Sequence, residues 1–143
     1  HPPSHTRRSS DLQMEAWKQQ GKSAREPIQV RKFPSSMPTV AGSRSHRGDS
    51  LNRFLQHLGE HELLSMGSSL KMCLVAEGRA DVYPRFGPTS EWDTAAAQAI
   101  VETAGGRLVT LDMQPLRYNT KDSLLNPKFI AIGDMDYDWS ALL

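Results

Sequence analysis

From residue 39 onward, short apolar segments alternate with segments that have helical periodicity. The strand candidates are TVAGS, HELLSMG, ADVYPR, RLVTL and FIAIG, and the helix candidates are GDSLNRFLQHLG, SSLKMCLVAEG and DTAAAQAIVETAGG. Strands that alternate with helices at this spacing favour a parallel sheet covered by helices. We therefore predict an α/β fold with about five strands in a mostly parallel sheet and three helices.

The segment before residue 39 has a different character. Residues 1–14 are polar and show neither a strand nor a helix period, so we predict that they are disordered. Residues 14–30 contain two short strand candidates on either side of a turn at Gly21. FPSSMP, residues 33–38, has the composition of a linker.

Length and charge set wide bounds on the function. A chain of 143 residues corresponds to one ordinary domain, and no segment approaches the roughly 18 apolar residues of a membrane span. Residues 1–50 contain nine Lys/Arg and four Asp/Glu, whereas the rest contains eight and twelve. The basic part suits either an arm that binds nucleic acid or a solvated segment. We favour the solvated segment, because no aromatic residues are interleaved with the basic ones.

The single cysteine, Cys73, cannot form an internal disulfide. Its apolar neighbours indicate a buried, inert thiol rather than a nucleophile. A reducing, cytoplasmic environment is consistent with this cysteine content.

Two predicted strand-to-helix junctions contain residues that suit a phosphate ligand. Ligands of open α/β sheets collect where strands end, and helix N-termini there present free amides to anions. Ser68 and Lys71 lie three residues apart at one junction, and Arg85 opens the loop that leads to Asp93 at the next. These groups predict a phosphate site with a divalent cation between the phosphate and Asp93. Unconnected helix caps and surface cations are the alternative.

The same junctions contain candidate helix caps. Asp49 or Ser50 is predicted to cap the first helix, and Ser68 or Ser69 the second. Asp93 is predicted to cap the third helix. Gly105 is predicted to end the third helix in the left-handed conformation.

The segment GSSLKMCLVAEGRADVYPRFGPTSEWDTAAAQAIVETAGG closely resembles the second half of the inositol monophosphatase superfamily. It is most similar to the CysQ-type branch, the 3'(2'),5'-bisphosphate nucleotidases. W-D-x-A-A followed by A-G-G is the second signature of the family, although Ala97 stands where the family usually has Gly. The resemblance runs from about residue 16 to residue 129. It implies the C-terminal half of the layered α/β sandwich of that family.

The resemblance also implies an activity and roles for particular residues. The activity is the Mg²⁺-dependent removal of the 3'-phosphate from adenosine 3',5'-bisphosphate, and related enzymes accept its sulfated analogue or inositol phosphates. Asp93 would bind a catalytic Mg²⁺ and contact the substrate. Ser68, Lys71 and Arg85 would hold substrate phosphate or sugar, and His46 of SRSH would contact the nucleotide.

One element of the family pattern is missing from the sequence. The first signature, D-P-[LI]-D-G-[ST], supplies most metal ligands in the family and is absent here. We therefore expect an incomplete gene product with residues 1–14 as an atypical leader, residues 15–33 as a remnant of the N-terminal subdomain, and residues 34–143 as the C-terminal subdomain.

We expect the isolated chain to be inactive without a partner region that carries the other ligands, because one carboxylate cannot assemble a two-metal centre. A non-catalytic phosphate- or nucleotide-binding module is the alternative. The resemblance leaves peripheral association with the inner face of the bacterial membrane open.

Two further motifs are given structural interpretations. Asp134, Asp136 and Asp138 alternate as at the start of a calcium loop, but the required Gly and distal Glu are absent, so a solvated acidic tail is favoured. Trp92 is interpreted as a core or loop anchor rather than as a platform for base stacking.

Overall fold

The computed structural model describes residues 15–34, 36–43, 48–67 and 70–143. The predicted disorder of residues 1–14 and the predicted caps Ser68 and Ser69 lie outside these residues. Within these residues, the strands are β1 (Ala16–Lys18), β2 (Glu26–Ile28), β3 (Thr39–Gly42), β4 (Glu62–Ser65), β5 (Val82–Arg85), β6 (Arg107–Thr110) and β7 (Phe129–Ile132). The helices are α1 (Asp49–Leu58), α2 (Leu70–Ala76), α3 (Glu91–Thr103) and a 3-10 helix (Trp139–Leu142).

Five of these strands form one mixed sheet in the order β4-β3-β5-β7-β6. β3 is parallel to both β4 and β5, whereas β7 is antiparallel to β5 and β6. Parallel neighbours need a crossover, which α1 and α2 provide, but the chain between β6 and β7 contains no helix and returns antiparallel. The predicted α/β class, with five strands and three α-helices, is confirmed, but the prediction of a mostly parallel sheet is wrong, because two of the four strand pairings are antiparallel.

Each face of the sheet is covered by its own apolar core. α2 and α3 pack on one face against residues such as Tyr83, Leu108 and Phe129. On the other face, α1 and the 3-10 helix cover the alternate strand residues, and Trp139 is fully buried there. Successive strand side chains point to opposite faces of the sheet, so two covered faces require apolar residues at consecutive strand positions.

The predicted hairpin before the sheet is confirmed. β1 and β2 pair antiparallel, and Gly21 has a positive φ of 55° in the turn between them. The chain then attaches to the main body, where the Val30 N–H donates to the Ala104 carbonyl at 3.0 Å and the Phe33 ring stacks on Tyr137 at 3.8 Å. The domain boundary between residues 33 and 34 stays a prediction.

The N-terminus of α3 differs from the prediction. Ser90, and not Asp93, is the N-cap residue, and Asp93 is the third helical residue. The Asp93 carboxylate accepts a hydrogen bond from the Ser90 backbone N–H at 2.9 Å, which is the reciprocal half of a capping box. The predicted caps of α1 are also wrong, because Gly48 precedes that helix without a side-chain cap.

The C-terminus of α3 confirms the prediction for the paired glycines. Gly105 follows the last helical turn with a φ of 101°, where a side chain would be strained. A Cβ at Gly106 would collide with the Ile132 carbonyl oxygen, so β7 packs directly against that backbone. Among the described helices, none is long and apolar enough to span a membrane.

Candidate functional site

A cleft opens where β5 ends and α3 begins. Its first cavity has a volume of about 400 Å³. The lining residues come from α2, β5, the following loop and α3: Lys71, Met72, Tyr83, Arg85, Pro88, Thr89, Trp92, Asp93, Thr94 and Phe129. The fold thus brings together the predicted site residues Lys71, Arg85 and Asp93.

Lys71 is the buried cation of this cleft. Only 7% of the residue is exposed, and its Nζ lies 5.7 Å from the centre of the Tyr83 ring. Among the described residues, no carboxylate forms an ion pair with it. Burial lowers the pKa of Lys71, and the nearby Arg85 guanidinium lowers it further. An anion in the cleft would offset both effects.

Arg85 is the last residue of β5 and lies beside Lys71. Its Nη2 donates to the Pro88 carbonyl at 3.3 Å, whereas its buried Nε has no hydrogen-bond partner among the described residues. A planar guanidinium with an unused buried donor suits a phosphate oxygen. Tyr83, two residues earlier on the same face of the strand, has a pKa raised by burial, which the Arg85 charge opposes.

Asp93, in the first turn of α3, lines the cleft and is exposed. Its Oδ2 accepts the Ser90 N–H, and its Oδ1 makes no hydrogen bond to the described residues. The adjacent Thr94 is buried and bonded at 3.0 Å to both the Tyr118 hydroxyl and the Asn126 amide nitrogen. The helix turn that carries Asp93 is therefore held firmly, and Asp93 lines the cavity with one carboxylate oxygen that has no partner among the described residues.

The segment between β6 and β7 fixes this helix turn from outside. The Glu91 backbone N–H donates to the Leu124 carbonyl at 2.8 Å, and the buried Glu91 carboxylate pairs with Lys121 at 3.4 Å. The Asn126 side-chain amide nitrogen also donates to the Ser90 carbonyl at 3.0 Å. LLNPKF, part of the family resemblance, thus contributes the residue that ties this segment to α3.

A second cavity of about 590 Å³ adjoins the first. Lys71, Tyr83, Arg85 and Pro88 line both cavities. The second cavity continues towards the start of α1, where Asp49 adds a carboxylate. The two cations therefore lie between two spaces, and a ligand longer than one phosphate group can reach both.

Other sequence predictions fare differently. Ser68 and His46 lie outside the described residues, so their predicted roles stay predictions. Trp92 is not a core residue, because it is 69% exposed at the edge of the cleft. Cys73 is only partly buried, but burial raises its pKa and so disfavours the reactive thiolate.

The acidic tail is more than a solvated segment. The Asp134 carboxylate accepts backbone N–H groups from Phe33 and Asp136, both at 2.9 Å. In the described part of the chain, no three His, Cys, Asp or Glu side chains are grouped closely enough to hold a metal ion, so the residues Asp134, Asp136 and Asp138 form no such group.

Two residues of the cleft were missed in the sequence. The ring of Tyr83 lies under the Lys71 ammonium group. This position could have been inferred, because residues two apart on a strand share a face and Tyr83 is two residues before Arg85. The sequence signal for Thr94 is weaker, because the residue is recognised as buried only once the start of α3 is known.

The fold is a mixed α/β sheet with a cleft at the end of β5 that is lined by two cations, and comparison with known families identifies the class of protein. The model of the inositol monophosphatase family matches residues 7–134. The chain belongs to that family.

Particular relatives are more specific. The chain is 52% identical over 114 residues to the 3'(2'),5'-bisphosphate nucleotidase CysQ of Salmonella typhimurium and 50% identical to that of Escherichia coli K12. Each alignment covers 80% of this chain and 45% of the relative, so the chain spans about half the length of these curated relatives. The crystal structure of CysQ from Bacteroides thetaiotaomicron is similar with a TM-score of 0.68 and 45% identity, covering 76% of this chain and 41% of that one.

Enzymes of the inositol monophosphatase family are generally metal-dependent. The first cavity contains one carboxylate, Asp93, and no group of three metal-ligating side chains exists among the residues described here. A hard divalent cation needs several oxygen ligands. The described residues do not form a metal site by themselves, and the metal role of Asp93 stays a prediction.

Proposed function

We propose that this chain supplies the phosphate-binding half of a Mg²⁺-dependent phosphatase. The proposed reaction removes the 3'-phosphate from adenosine 3',5'-bisphosphate and yields AMP and inorganic phosphate. Family membership and the CysQ relatives support a phosphatase that acts on bisphosphate nucleotides.

One observation carries the proposal: Lys71 and Arg85 face the same cleft with unused hydrogen-bonding capacity. Lys71 is buried without a carboxylate partner in the described part of the structure, and Arg85 has a buried Nε without an acceptor. A buried cation without an anion is costly, so such residues are retained where a ligand supplies the charge. A substrate with two phosphate groups matches both cations and the two adjoining cavities.

We further propose that the isolated chain is inactive. Asp93 would be one Mg²⁺ ligand, and the remaining ligands would come from a region outside this chain. The test measures phosphate release from adenosine 3',5'-bisphosphate with Mg²⁺, first with the chain alone and then with the chain joined to the amino-terminal portion of E. coli CysQ. We expect release only from the joined protein. Turnover by the chain alone at the rate of full-length CysQ would contradict this proposal.

Asp93→Asn tests the role of the carboxylate in the joined protein. We expect loss of most activity with little change in stability, because the amide oxygen of Asn can still accept the Ser90 N–H. Asp122→Asn, at an exposed carboxylate outside the cleft, is the matched control. Wild-type rates for Asp93→Asn would reject the catalytic role.

A non-catalytic module that binds phosphate is the second candidate function. The absence of a metal-ligand group among the described residues favours it for the isolated chain. Weak, Mg²⁺-independent binding of nucleotide, together with no activity in the joined protein, would select this candidate.

A further inference from the structure

A separate cavity of about 170 Å³ lies between α1, the 3-10 helix and the loop after β5, and we call it the α1 cavity. An apolar cavity of about 150 Å³ is large enough to take one benzene ring. The α1 cavity therefore has room for one aromatic ring or for a branched aliphatic group of similar size. Its apolar wall consists of Phe54, Phe86, Leu111, Leu142 and Leu143.

Three polar residues of α1 line the same cavity. Ser50, Arg53 and His57 are spaced by three and four residues, so they lie on one side of the helix. Arg53 is exposed, and it forms no ion pair with a carboxylate of the described residues. A guanidinium can bind a carboxylate through two parallel hydrogen bonds. The α1 cavity thus combines an apolar wall with a cation that has no anionic partner in the described part of the chain.

The walls of the α1 cavity are held by contacts that need no ligand. His57 Nδ1 lies 3.1 Å from the Leu142 carbonyl oxygen, and Nδ1 is the donor because a carbonyl oxygen only accepts. This bond ties α1 to the 3-10 helix. Phe54 is 2% exposed and meets Phe86 edge to face, with 6.1 Å between the ring centres. A ligand would therefore enter a largely preformed space and would lose little affinity to the ordering of side chains.

The chemistry of the α1 cavity differs from that of the phosphate cleft. Leu111 and Leu143 are still 38% and 37% exposed, so an apolar group in the cavity would remove more apolar surface from water. Inorganic phosphate could not use this wall, and a neutral apolar molecule could not use the charge of Arg53. A ligand that uses both needs a small apolar body and one anionic group.

We propose that the α1 cavity binds a small carboxylate that has one aromatic ring or a branched aliphatic group. The carboxylate would bind Arg53, and the apolar group would pack against the wall that includes Phe86 and Leu142. The site goes beyond the proposed phosphatase function and does not depend on it, although Ser50 and Phe86 also line the second cavity of the cleft.

The test titrates the full chain, labelled with ¹³C and ¹⁵N, with benzoate, which has both parts of the proposed ligand. Acetate has the carboxylate without the ring, and benzyl alcohol has the ring without the charge. Calorimetry measures the three affinities, and nuclear Overhauser effects from the ring protons of benzoate locate it on the protein. We expect benzoate to bind about tenfold more tightly than either control, with ring contacts to Phe86, Leu111 and Leu142.

Two variants at exposed positions separate the two parts of the ligand. Arg53→Gln should weaken benzoate binding about tenfold and leave benzyl alcohol binding unchanged, because only the charge-assisted bonds are lost. Leu111→Ala should weaken benzoate and benzyl alcohol about threefold each and leave acetate unchanged, because apolar contact is lost. Arg25→Gln, at an exposed arginine of the hairpin, is the matched control and should have no effect on any of the three. Circular dichroism should show the same fold for all of these proteins.

Four results would overturn the inference. Benzoate binding no tighter than that of acetate would show that the apolar wall adds nothing. Unchanged benzoate affinity in Arg53→Gln would show that the carboxylate does not bind this arginine. Competition between benzoate and inorganic phosphate, with a loss of benzoate affinity in Lys71→Met, would place benzoate in the phosphate cleft. Ring contacts scattered over the surface would mean adventitious binding only. Each of these results leaves the proposed phosphatase function intact, and failure of phosphate binding would leave the α1 cavity unaffected.

Discussion

Two clusters of charged side chains lie at the two ends of β5, and they differ in how completely their polar groups are hydrogen-bonded. At the start of β5, Asp81 is 1% exposed and fully bonded, since it accepts from Arg31 at 2.8 and 2.6 Å and from the Thr39 N–H at 2.7 Å. At the other end, Lys71 and Arg85 form no ion pair with a carboxylate among the described residues, and the buried Arg85 Nε has no acceptor there.

The difference separates structure from function. A buried polar group that has all its partners stabilises the fold and leaves nothing for a ligand. Unused buried donors are unfavourable in the free protein, but they provide affinity when an anion arrives. The Asp81 cluster should therefore control stability, and the Lys71–Arg85 pair should control binding.

Asp81→Ala should have the largest effect. We expect a loss of about 3 kcal/mol in the free energy of unfolding, because Arg31 loses its bidentate partner and the buried Thr39 N–H loses its acceptor. Urea denaturation followed by circular dichroism measures the loss. Asp112→Ala, at an exposed position, should change stability little. A loss of stability smaller than that of Asp112→Ala would contradict the claim that the Asp81 cluster controls stability.

Lys71→Met should have the opposite effect: it should weaken ligand binding and leave stability intact. We expect the affinity for phosphate esters to fall about tenfold or more, because a charge-assisted bond is lost. Stability at neutral pH should be unchanged or higher. The pKa of Lys71 is lowered by folding, so the folded state penalises its charged form below that pKa, and the penalty disappears at higher pH.

Calorimetric titration and urea denaturation give the two readings, with Lys128→Met at an exposed position as the control. Phosphate affinity of the wild type should also fall as pH rises through the lowered pKa of Lys71, earlier than for an ordinary lysine. A large loss of stability in Lys71→Met would assign this lysine to the structural class.

Asp134→Asn should have the smallest effect on stability, and it tests a carboxylate that is hydrogen-bonded but partly exposed. Backbone N–H groups of Phe33 and Asp136 lower the pKa of Asp134. The carboxylate therefore adds stability above the ordinary Asp pKa, and this contribution disappears as pH falls through the lowered value. We expect a loss of about 0.5–1 kcal/mol at pH 7, reduced for the exposed charge, and no loss at the acidic end. Urea denaturation at both pH values measures it, and a loss independent of pH would contradict the charge-based account.

The local elements of the fold could be predicted because the sequence carries their signals directly. Alternating apolar segments gave the strands and helices, and Gly105 marked the end of α3. The start of α3 was misplaced because Ser90 and Asp93 are both good capping residues, and a capping box with Asp in the third position is less distinctive than one with Glu.

Long-range contacts could not be predicted from one sequence. Arg31 and Asp81 are 50 residues apart, and no local pattern joins them. The insertion of β7 between β5 and β6 depends on pairing between distant strands, and apolar runs of this kind do not encode a neighbour. For the cleft, the residue types of Lys71, Arg85 and Asp93 could be read, but the burial of Lys71 and the exposure of Trp92 required the tertiary structure.

The position of β7 has a consequence for the order of events during synthesis. β5, which ends at Arg85, has only β3 beside it until β7 arrives, and β6 pairs with no other strand of the sheet described. Residues 129–132 leave the ribosome after both of these strands, so the sheet closes only when the last strand is inserted. A premature stop before Phe129 would therefore separate the sheet into two parts. In the normal nascent chain, the edges of β5 and β6 would be exposed until β7 has been synthesised.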